Sequence, residues 1–301
     1  MRRGLPGRLA VMIAASGAAC LAYGIAIEPN LFRLRRVRVP VLPPGHRPIR
    51  ILHLTDLHLL PTQSRKIAWV RGLAELKPDF IVNTGDNVAS ADALPGLRHA
   101  FEPLRGIPGV FVFGSNDFDL PGPVRPLRYF RTRPVRAPRH TLPNKDLARL
   151  LESLGWVDAQ EQRTVFHLDG TTVEVRGCGD AHAGLDHYAR VAGPVAGDAD
   201  LLVGVTHAPY RRLLDQMTAD GVGLILAGHT HGGQVCLPGG HALTTNCDLP
   251  TSQAKGLSRH RYNGRMAYLH VSAGLGTSPY APYRFCCPPE ATLLTLTPPE
   301  R

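Results

Sequence analysis

Short motifs of aspartate and histidine recur along this chain, in patterns that could bind metal ions. They are Asp-x-His at residues 56–58, Gly-Asp at 85–86, Thr-His at 206–207 and Gly-His-x-His at 228–231. A lone histidine is more often a hydrogen-bonded polar residue than a ligand, but the order and spacing of these motifs reverse that expectation. The candidate metal ligands are Asp56, His58, Asp86, His207, His229 and His231.

The ligand types narrow the choice of metal. Carboxylates and imidazoles without a thiolate suit Mn, Fe, Zn or Co, whereas Mg prefers all-oxygen ligands. None of the six cysteines forms a Cys-x-x-Cys pair, so a structural zinc knuckle is not expected. We therefore expect divalent metal cofactors of the Mn, Fe, Zn or Co type.

Each motif follows a predicted strand. Buried strands are predicted at 49–55, 79–84, 109–113, 201–205 and 223–226. Helices at 64–76 and 94–104 separate the first three, which is typical of βαβ units in a parallel sheet. The loops beyond the carboxyl ends of such strands line one crevice, so the motifs should meet there. Further predictions are a helix at 146–154, a hairpin of 164–168 with 172–176, and closing strands at 266–272 and 291–296.

The N-terminal region predicts a membrane segment. Residues 9–27 contain no charged side chain, and nineteen residues at helical rise come close to the thickness of about 30 Å of a bilayer core. We expect a single-pass signal anchor at 1–30, although small residues such as Ala15 and Ala19 also fit a cleaved signal peptide. Arginines flank both ends, so the side of the membrane stays open. A basic, proline-rich connector (31–48) and one domain (49–297) follow.

The charge of the chain points to acidic partners. There are 34 Lys and Arg against 24 Asp and Glu, a formal net charge of +10. Residues 121–145 contain seven of the basic residues and interrupt the fold pattern as an insertion. Within it, Arg125 and Arg128 are candidate substrate-binding residues, or part of a solvated loop. Few aromatic residues accompany this run, so nucleic acid is not an expected partner.

Together these motifs resemble the calcineurin-like metallophosphoesterases, above all a bacterial membrane-associated branch similar to UDP-2,3-diacylglucosamine pyrophosphatases. The resemblance covers residues 49–297 and includes the segment at 271–278 and Arg284. It implies an α/β fold, a four-layer α/β/β/α sandwich, with two divalent metal ions. It also implies that the first metal is held by Asp56, His58 and His231 and the second by His207 and His229, with Asp86 bridging them.

One loop departs from the family pattern. Where the family has Gly-Asn-His-Asp, this chain has Gly114-Ser115-Asn116-Asp117. Ungapped alignment puts Ser115 at the position of the asparagine ligand. Alternatively Asn116 supplies the ligand oxygen, which we favour. Either way the usual imidazole acid is missing, and an asparagine cannot protonate a leaving group. The candidate catalytic residues are Asp86, Asn116 and Asp117, and a good leaving group is expected.

The resemblance implies a dinuclear hydrolase. Its expected substrate is a phosphodiester or pyrophosphate of a lipid- or nucleotide-linked molecule at the membrane. The alternatives are a soluble nucleotide or phosphoprotein phosphatase, and a metal-binding membrane protein with impaired catalysis. His182, two residues after Asp180, is a further candidate for substrate binding, although a turn with a surface histidine explains it equally well.

Overall fold

A computed structural model describes residues 5–120, 141–142, 144–195 and 197–299 of the chain. Most of the predicted insertion at 121–145, with Arg125 and Arg128, lies outside the described residues.

Six strands form the first sheet. They are β1 (Arg33–Pro40), β2 (Ile49–Leu54), β3 (Phe80–Asn83), β4 (Gly109–Phe111), β5 (Trp156–Asp158) and β14 (Glu290–Thr297). Their order is β1-β14-β2-β3-β4-β5. β2 to β5 run parallel, and β14 is antiparallel to β2 and parallel to β1. The carboxyl ends of β2, β3 and β4 therefore meet at one edge.

A second sheet also has six strands, β6 (Arg163–Leu168), β7 (Thr171–Cys178), β8 (Leu201–Thr206), β9 (Leu224–Ala227), β12 (Gly256–Tyr262) and β13 (Arg265–Val271). Their order is β12-β13-β9-β8-β7-β6. The four central strands are parallel, and the two edges are antiparallel hairpins. Two short strands, β10 (Cys236–Leu237) and β11 (His241–Ala242), form a separate ladder.

Five α-helices complete the secondary structure of the described residues, namely α1 (Leu5–Ala22), α2 (Ser64–Gly72), α3 (Leu94–Phe101), α4 (Asn144–Ser153) and α5 (Arg211–Ala219). A π-helical turn (Tyr23–Ile27) and a 3₁₀ turn (Glu28–Asn30) extend α1. α2, α3 and α4 cover the outer face of the first sheet, and α5 covers that of the second.

The hydrophobic side chains divide between three layers of core. In β2, Ile49 and Ile51 point into the core between the two sheets, whereas Leu52 and Leu54 pack under the helices. This alternation follows from the two-residue period of a strand, and it shows why the strand is apolar on both faces. The arrangement is helices, sheet, sheet and helix, so the predicted four-layer α/β/β/α sandwich is confirmed.

The predicted connector at 31–48 needs a correction, because eight of its residues form β1, which pairs in parallel with β14. Val39 is fully buried between the sheets. Arg33, Arg35, Arg36 and Arg38 fall on both faces of the strand, so the sequence shows no continuous apolar face there. The sheet thus begins before residue 49. Five further elements, α5, β5, β10, β11 and β12, also had no predicted counterpart.

The N-terminal helix is apolar and mostly exposed. Residues Arg8–Asn30 are long and apolar enough, by length and composition, to cross a membrane. Only 6% of its apolar window is buried against the rest of the chain, which distinguishes it from a core helix of a globular domain. A signal sequence meets the same criterion of length and apolarity.

The assignment of β1 to the domain is testable with Val39→Ala. Loss of two methyl groups from this buried site should lower the free energy of unfolding by about 2 kcal/mol. Urea denaturation followed by tryptophan fluorescence measures it. Val157→Ala, in β5 at a side chain that is 36% exposed, is the control and should change stability by less than about 0.5 kcal/mol. Equal effects of the two substitutions would contradict the assignment.

Candidate metal centre

Side chains from both sheets converge beyond the carboxyl ends of five strands. The loops after β2, β3 and β4 meet those after β8 and β9, bringing together Asp56, His58, Asp86, Asn116, His207, His229 and His231. Backbone hydrogen bonds join these loops. The amide of Asp56 donates to Gly85 O at 2.8 Å, and that of His58 donates to Asp86 O at 2.9 Å. Contacts from His207 and His229 to Thr84 and Asp56 link the loops of the first sheet to the second sheet, so the structure brings the predicted motifs together at one edge.

Five of these residues have a left-handed backbone. Their φ angles are positive, at 49° for Asp56, 40° for His58, 55° for Asp86, 69° for His229 and 50° for His231. For a residue with a side chain this conformation costs of the order of 1–3 kcal/mol, and it persists only where the surrounding structure imposes it. Here the loop-to-loop hydrogen bonds hold the backbone, and the turn directs each side chain back over the strand ends.

Asp56, His58 and His231 form a first group whose ligand atoms lie within 4.8 Å of one another. His231 Nε2 is 3.5 Å from Asp56 Oδ1 and 3.2 Å from His58 Nε2. Because His231 Nδ1 donates to the carbonyl of Gly276 at 3.1 Å, its Nε2 presents a lone pair to the other two side chains. A cation is the group that such a convergence of lone pairs accommodates best.

Asp86 lies at the centre of a second group with Asp56 and His207. Its Oδ2 atom is 3.4 Å from His58 Nε2 and 3.4 Å from His207 Nε2. One carboxylate oxygen therefore faces an imidazole of each group. This position between the two groups is compatible with the bridging role that the family resemblance implies for Asp86.

Two buried atoms identify where positive charge fits. Among the residues that the structure describes, Asp56 Oδ1 and His207 Nε2 are buried without a hydrogen-bond partner. An unpaired buried carboxylate oxygen is costly, since burial removes its hydration. Both atoms face the space between the carboxylates and imidazoles. The donor set therefore fits divalent metal ions of the Mn, Fe, Zn or Co type.

Backbone carbonyls orient the histidine rings, which sequence reasoning did not foresee. His207 Nδ1 donates to Thr84 O at 2.7 Å, and His229 Nε2 lies 3.2 Å from Asn246 O. Such bonds fix the ring and the tautomer of a metal-binding histidine. Thr84 directly precedes the Gly-Asp motif, so its position next to the site could have been predicted from the sequence. Asn246 lies in an irregular loop and has no sequence signal.

In the loop at residues 114–117, which differs from the family pattern, Asn116 and not Ser115 lies next to Asp86. Asn116 Nδ2 is 2.7 Å from Asp86 Oδ2, and its backbone amide donates to Asp86 Oδ1 at 2.9 Å. Rotation of the amide group by 180° exchanges its nitrogen and oxygen, which allows the oxygen to face a cation. The Ser115 amide instead donates to Asp180 Oδ2 at 3.0 Å.

Asp117 lies behind the loops instead of facing the crevice. Its buried carboxylate accepts hydrogen bonds from the amides of Asp86 and Asn87, both at 2.7 Å, and from Gly114 at 3.1 Å. These contacts make it a positioning residue for Asp86. The same loop requires glycine at 114, because an added Cβ would lie 2.2 Å from Asp86 Oδ1.

His182 lies at the rim of the second group. Its ring centroid is 4.5 Å from that of His229, and its Nδ1 is 2.7 Å from the hydroxyl of Tyr210. Asp180 accepts a hydrogen bond from the His182 amide at 2.8 Å and so fixes the turn. The structure therefore brings His182 to the site, together with Tyr210, which the sequence analysis did not single out.

Burial and mutual charge shift the ionisation of these groups. Burial raises the pKa of Asp56 to about 6 and lowers that of His58 to about 4. Burial also opposes ionisation of Asp86 and His207, but their mutual attraction outweighs it. Their pKa values lie well below and well above the usual ranges, respectively. A divalent cation would replace the His207 proton as the partner of Asp86.

The chain is similar to known proteins along most of its length. The family model described as calcineurin-like phosphoesterase matches residues 49–233. Phosphodiesterase YaeI of Escherichia coli (strain K12) is 28% identical over 302 residues, which cover 98% of each protein. The uncharacterized metallophosphoesterase YkuE of Bacillus subtilis (strain 168) is 26% identical over 308 residues, 98% of this chain and 96% of that protein. Among solved structures, the crystal structure of TT1561 of Thermus thermophilus covers 76% of this chain and 91% of that chain, with 13% identity and a TM-score of 0.40.

The positioning role of Asp117 is testable with Asp117→Asn. The amide keeps one acceptor oxygen and turns an N–H group towards backbone donors, so the metal-free protein should lose about 1–3 kcal/mol of unfolding free energy. Urea denaturation in EDTA measures this. Asp92→Asn alters an exposed carboxylate and should change stability by less than about 0.5 kcal/mol. An unchanged midpoint for Asp117→Asn would show that the carboxylate does not hold the loop.

Proposed function

Because this chain belongs to the calcineurin-like phosphoesterases, a metal-dependent family of hydrolases, we propose that it uses two divalent metal ions to hydrolyse a phosphodiester or phosphoanhydride bond at a membrane surface. The observation that supports this best is the place of Asp86. Its Oδ2 atom lies 3.4 Å from an imidazole nitrogen of each ligand group, as a bridging ligand would require.

The proposed ligands divide between two ions. Asp56, His58 and His231 would hold the first, Asn116, His207 and His229 would hold the second, and Asp86 would contribute to both. When bound, the ions would supply an activated water as nucleophile and offset the charge of the phosphoryl oxygens. Mn, Fe, Zn and Co each fit a set of carboxylates, imidazoles and one amide oxygen.

The family acts on phosphorylated substrates, and our proposal concerns which kind of leaving group this chain accepts. We favour a phosphodiester, because the relative from Escherichia coli is named a phosphodiesterase. Asn116 occupies the loop where the family has an imidazole acid, so the chain acts best on leaving groups that need little protonation. A phosphoanhydride meets the same requirement, which keeps a pyrophosphatase-like activity on a lipid- or nucleotide-linked substrate as the second candidate.

His182 is proposed to bind the substrate on the side of the second ion. Its ring packs against that of His229, and Tyr210 fixes its Nδ1 side. In this orientation the imidazole can donate a hydrogen bond to the departing oxygen and partly replace the missing loop histidine. Arg125 and Arg128, outside the described residues, remain predicted contacts for the negative charge of the substrate.

The apolar N-terminal helix is proposed to anchor the chain in a membrane. Its length and composition suit a single span, and the basic residues of β1 follow within a few residues of its end. Arginines at that position favour anionic lipid headgroups. An anchored catalytic domain would act on substrates at the membrane surface, lipid-linked molecules among them.

The bridging role of Asp86 predicts that Asp86→Asn nearly abolishes hydrolysis. The full-length protein in detergent, freed of metal and reloaded with Mn²⁺, should hydrolyse bis(p-nitrophenyl) phosphate, and the variant should not, because an amide oxygen lacks the negative charge needed to bridge two cations. Asp92→Asn is the exposed control and should keep the wild-type rate. Full activity of Asp86→Asn would exclude the proposed bridge.

The role of His182 predicts a dependence on the leaving group. His182→Ala should lower kcat/KM by about 100-fold for a diester with an alkyl alcohol as leaving group, and by less than about threefold for p-nitrophenolate, which needs no proton. His187→Ala, at an exposed histidine, should change neither value. Equal losses for both substrates would assign His182 to a general binding role instead.

A further inference from the structure

We infer that Glu28, at the end of the N-terminal helix, is a positioning residue of the metal centre, which makes the membrane-proximal turn a structural part of the active site. This inference rests on the proposed function, since it concerns the metal ion assigned to His231. It goes further in linking that ion to the helix end through two layers of hydrogen bonds.

The first layer joins the helix end to the loop before β14. Glu28 is only 3% exposed, and its carboxylate accepts hydrogen bonds from the amides of Cys286, at 2.9 Å, and Cys287, at 2.5 Å. The carbonyl of Gly24 accepts from the Arg284 amide at 2.8 Å. A buried carboxylate that receives two amide hydrogen bonds fixes this loop in place.

A second layer joins that loop to the metal site through the guanidinium of Arg284, which is fully buried. It donates to the carbonyls of Ala273 at 2.7 Å and Gly276 at 2.8 Å. It also reaches the carbonyl of His231 at 3.3 Å. Arg284 thus ties the loop after β9, which contains His231, to the loop after β13, which contains Ala273 and Gly276.

The contacts end on the imidazole of His231. Gly276 O, which Arg284 holds, is the acceptor for His231 Nδ1 at 3.1 Å. The Cys287 thiol donates to His231 O at 3.4 Å. Glu28 therefore fixes the backbone of Cys286 and Cys287, Arg284 fixes the carbonyls, and these orient the ring whose Nε2 faces Asp56.

Loss of the Glu28 charge should weaken the binding of one metal ion more than that of the other. No contact in this series reaches His207 or Asn116 in the described part of the chain, so the site at Asp86 and His207 should keep its geometry. Removing a group that orients a metal-binding histidine weakens metal affinity by about 10- to 100-fold. A residue that merely attached the helix would leave metal affinity unchanged.

The test compares Mn²⁺ binding by full-length wild type, Glu28→Gln and Glu28→Asp in detergent. Each protein is stripped with EDTA, dialysed against a series of free Mn²⁺ concentrations, and analysed for metal per chain. Glu102→Gln is the control, because Glu102 is an exposed partner of Arg105. Far-UV circular dichroism and thermal unfolding of the metal-free proteins check that the fold is retained.

At Mn²⁺ concentrations that saturate two sites in the wild type, Glu28→Gln should hold one equivalent fewer. Its second equivalent and its activity should return at about 10- to 100-fold higher Mn²⁺. Glu28→Asp, which keeps both acceptor oxygens, should fall between the two, and Glu102→Gln should match the wild type. Wild-type binding by Glu28→Gln, or an equal loss of both equivalents with an altered metal-free fold, would overturn the inference alone. A wild type that binds fewer than two Mn²⁺ would overturn the proposed function and this inference together.

Discussion

The structure depends on one electrostatic constraint: carboxylates and imidazoles must be buried within a few ångströms of one another. Asp56 and Asp86 carry like charges and are both buried, and Asp56 Oδ1 has no hydrogen bond among the described residues. Such a cluster is stable only where a positive charge lies among the oxygens. In the metal-free protein the His207 proton partly meets this need. Divalent ions meet it more fully, so the binding of metal and the stability of these loops are linked.

Two sheets are needed to build this cluster. The first sheet contributes Asp56, His58, Asp86 and Asn116 and the second contributes the remaining histidines, so the inter-sheet core sets the distance between the two halves of the site. Residues such as Phe80 and Val203 pack in that core and so hold the ends of the two sheets together. The left-handed turns at the five ligand positions then aim the side chains inward, and hydrogen bonds between loops offset their strain.

The sequence predicted those site residues that come directly after a predicted strand. Asp56, His58, His229 and His231 lie in motifs with a fixed spacing, and each follows an apolar strand, so their convergence could be expected. β1 was not predicted because four arginines lie among its apolar residues, of which Val39 is the buried one. Asn246 and Gly276 were not predicted because they contribute backbone carbonyls, which any residue type can supply. Glu28 was not predicted for another reason. A glutamate after an apolar segment indicates only the polar end of that segment, and the amides of Cys286 and Cys287 come beside Glu28 only in the folded chain.

The central claim is that Asp86 bridges two metal ions, and anomalous diffraction from crystals grown with Mn²⁺ tests it most directly. Two peaks are expected on either side of Asp86 Oδ2, one bounded by Asp56, His58 and His231 and the other by Asn116, His207 and His229. A single peak, or two peaks that do not share Asp86, would contradict it.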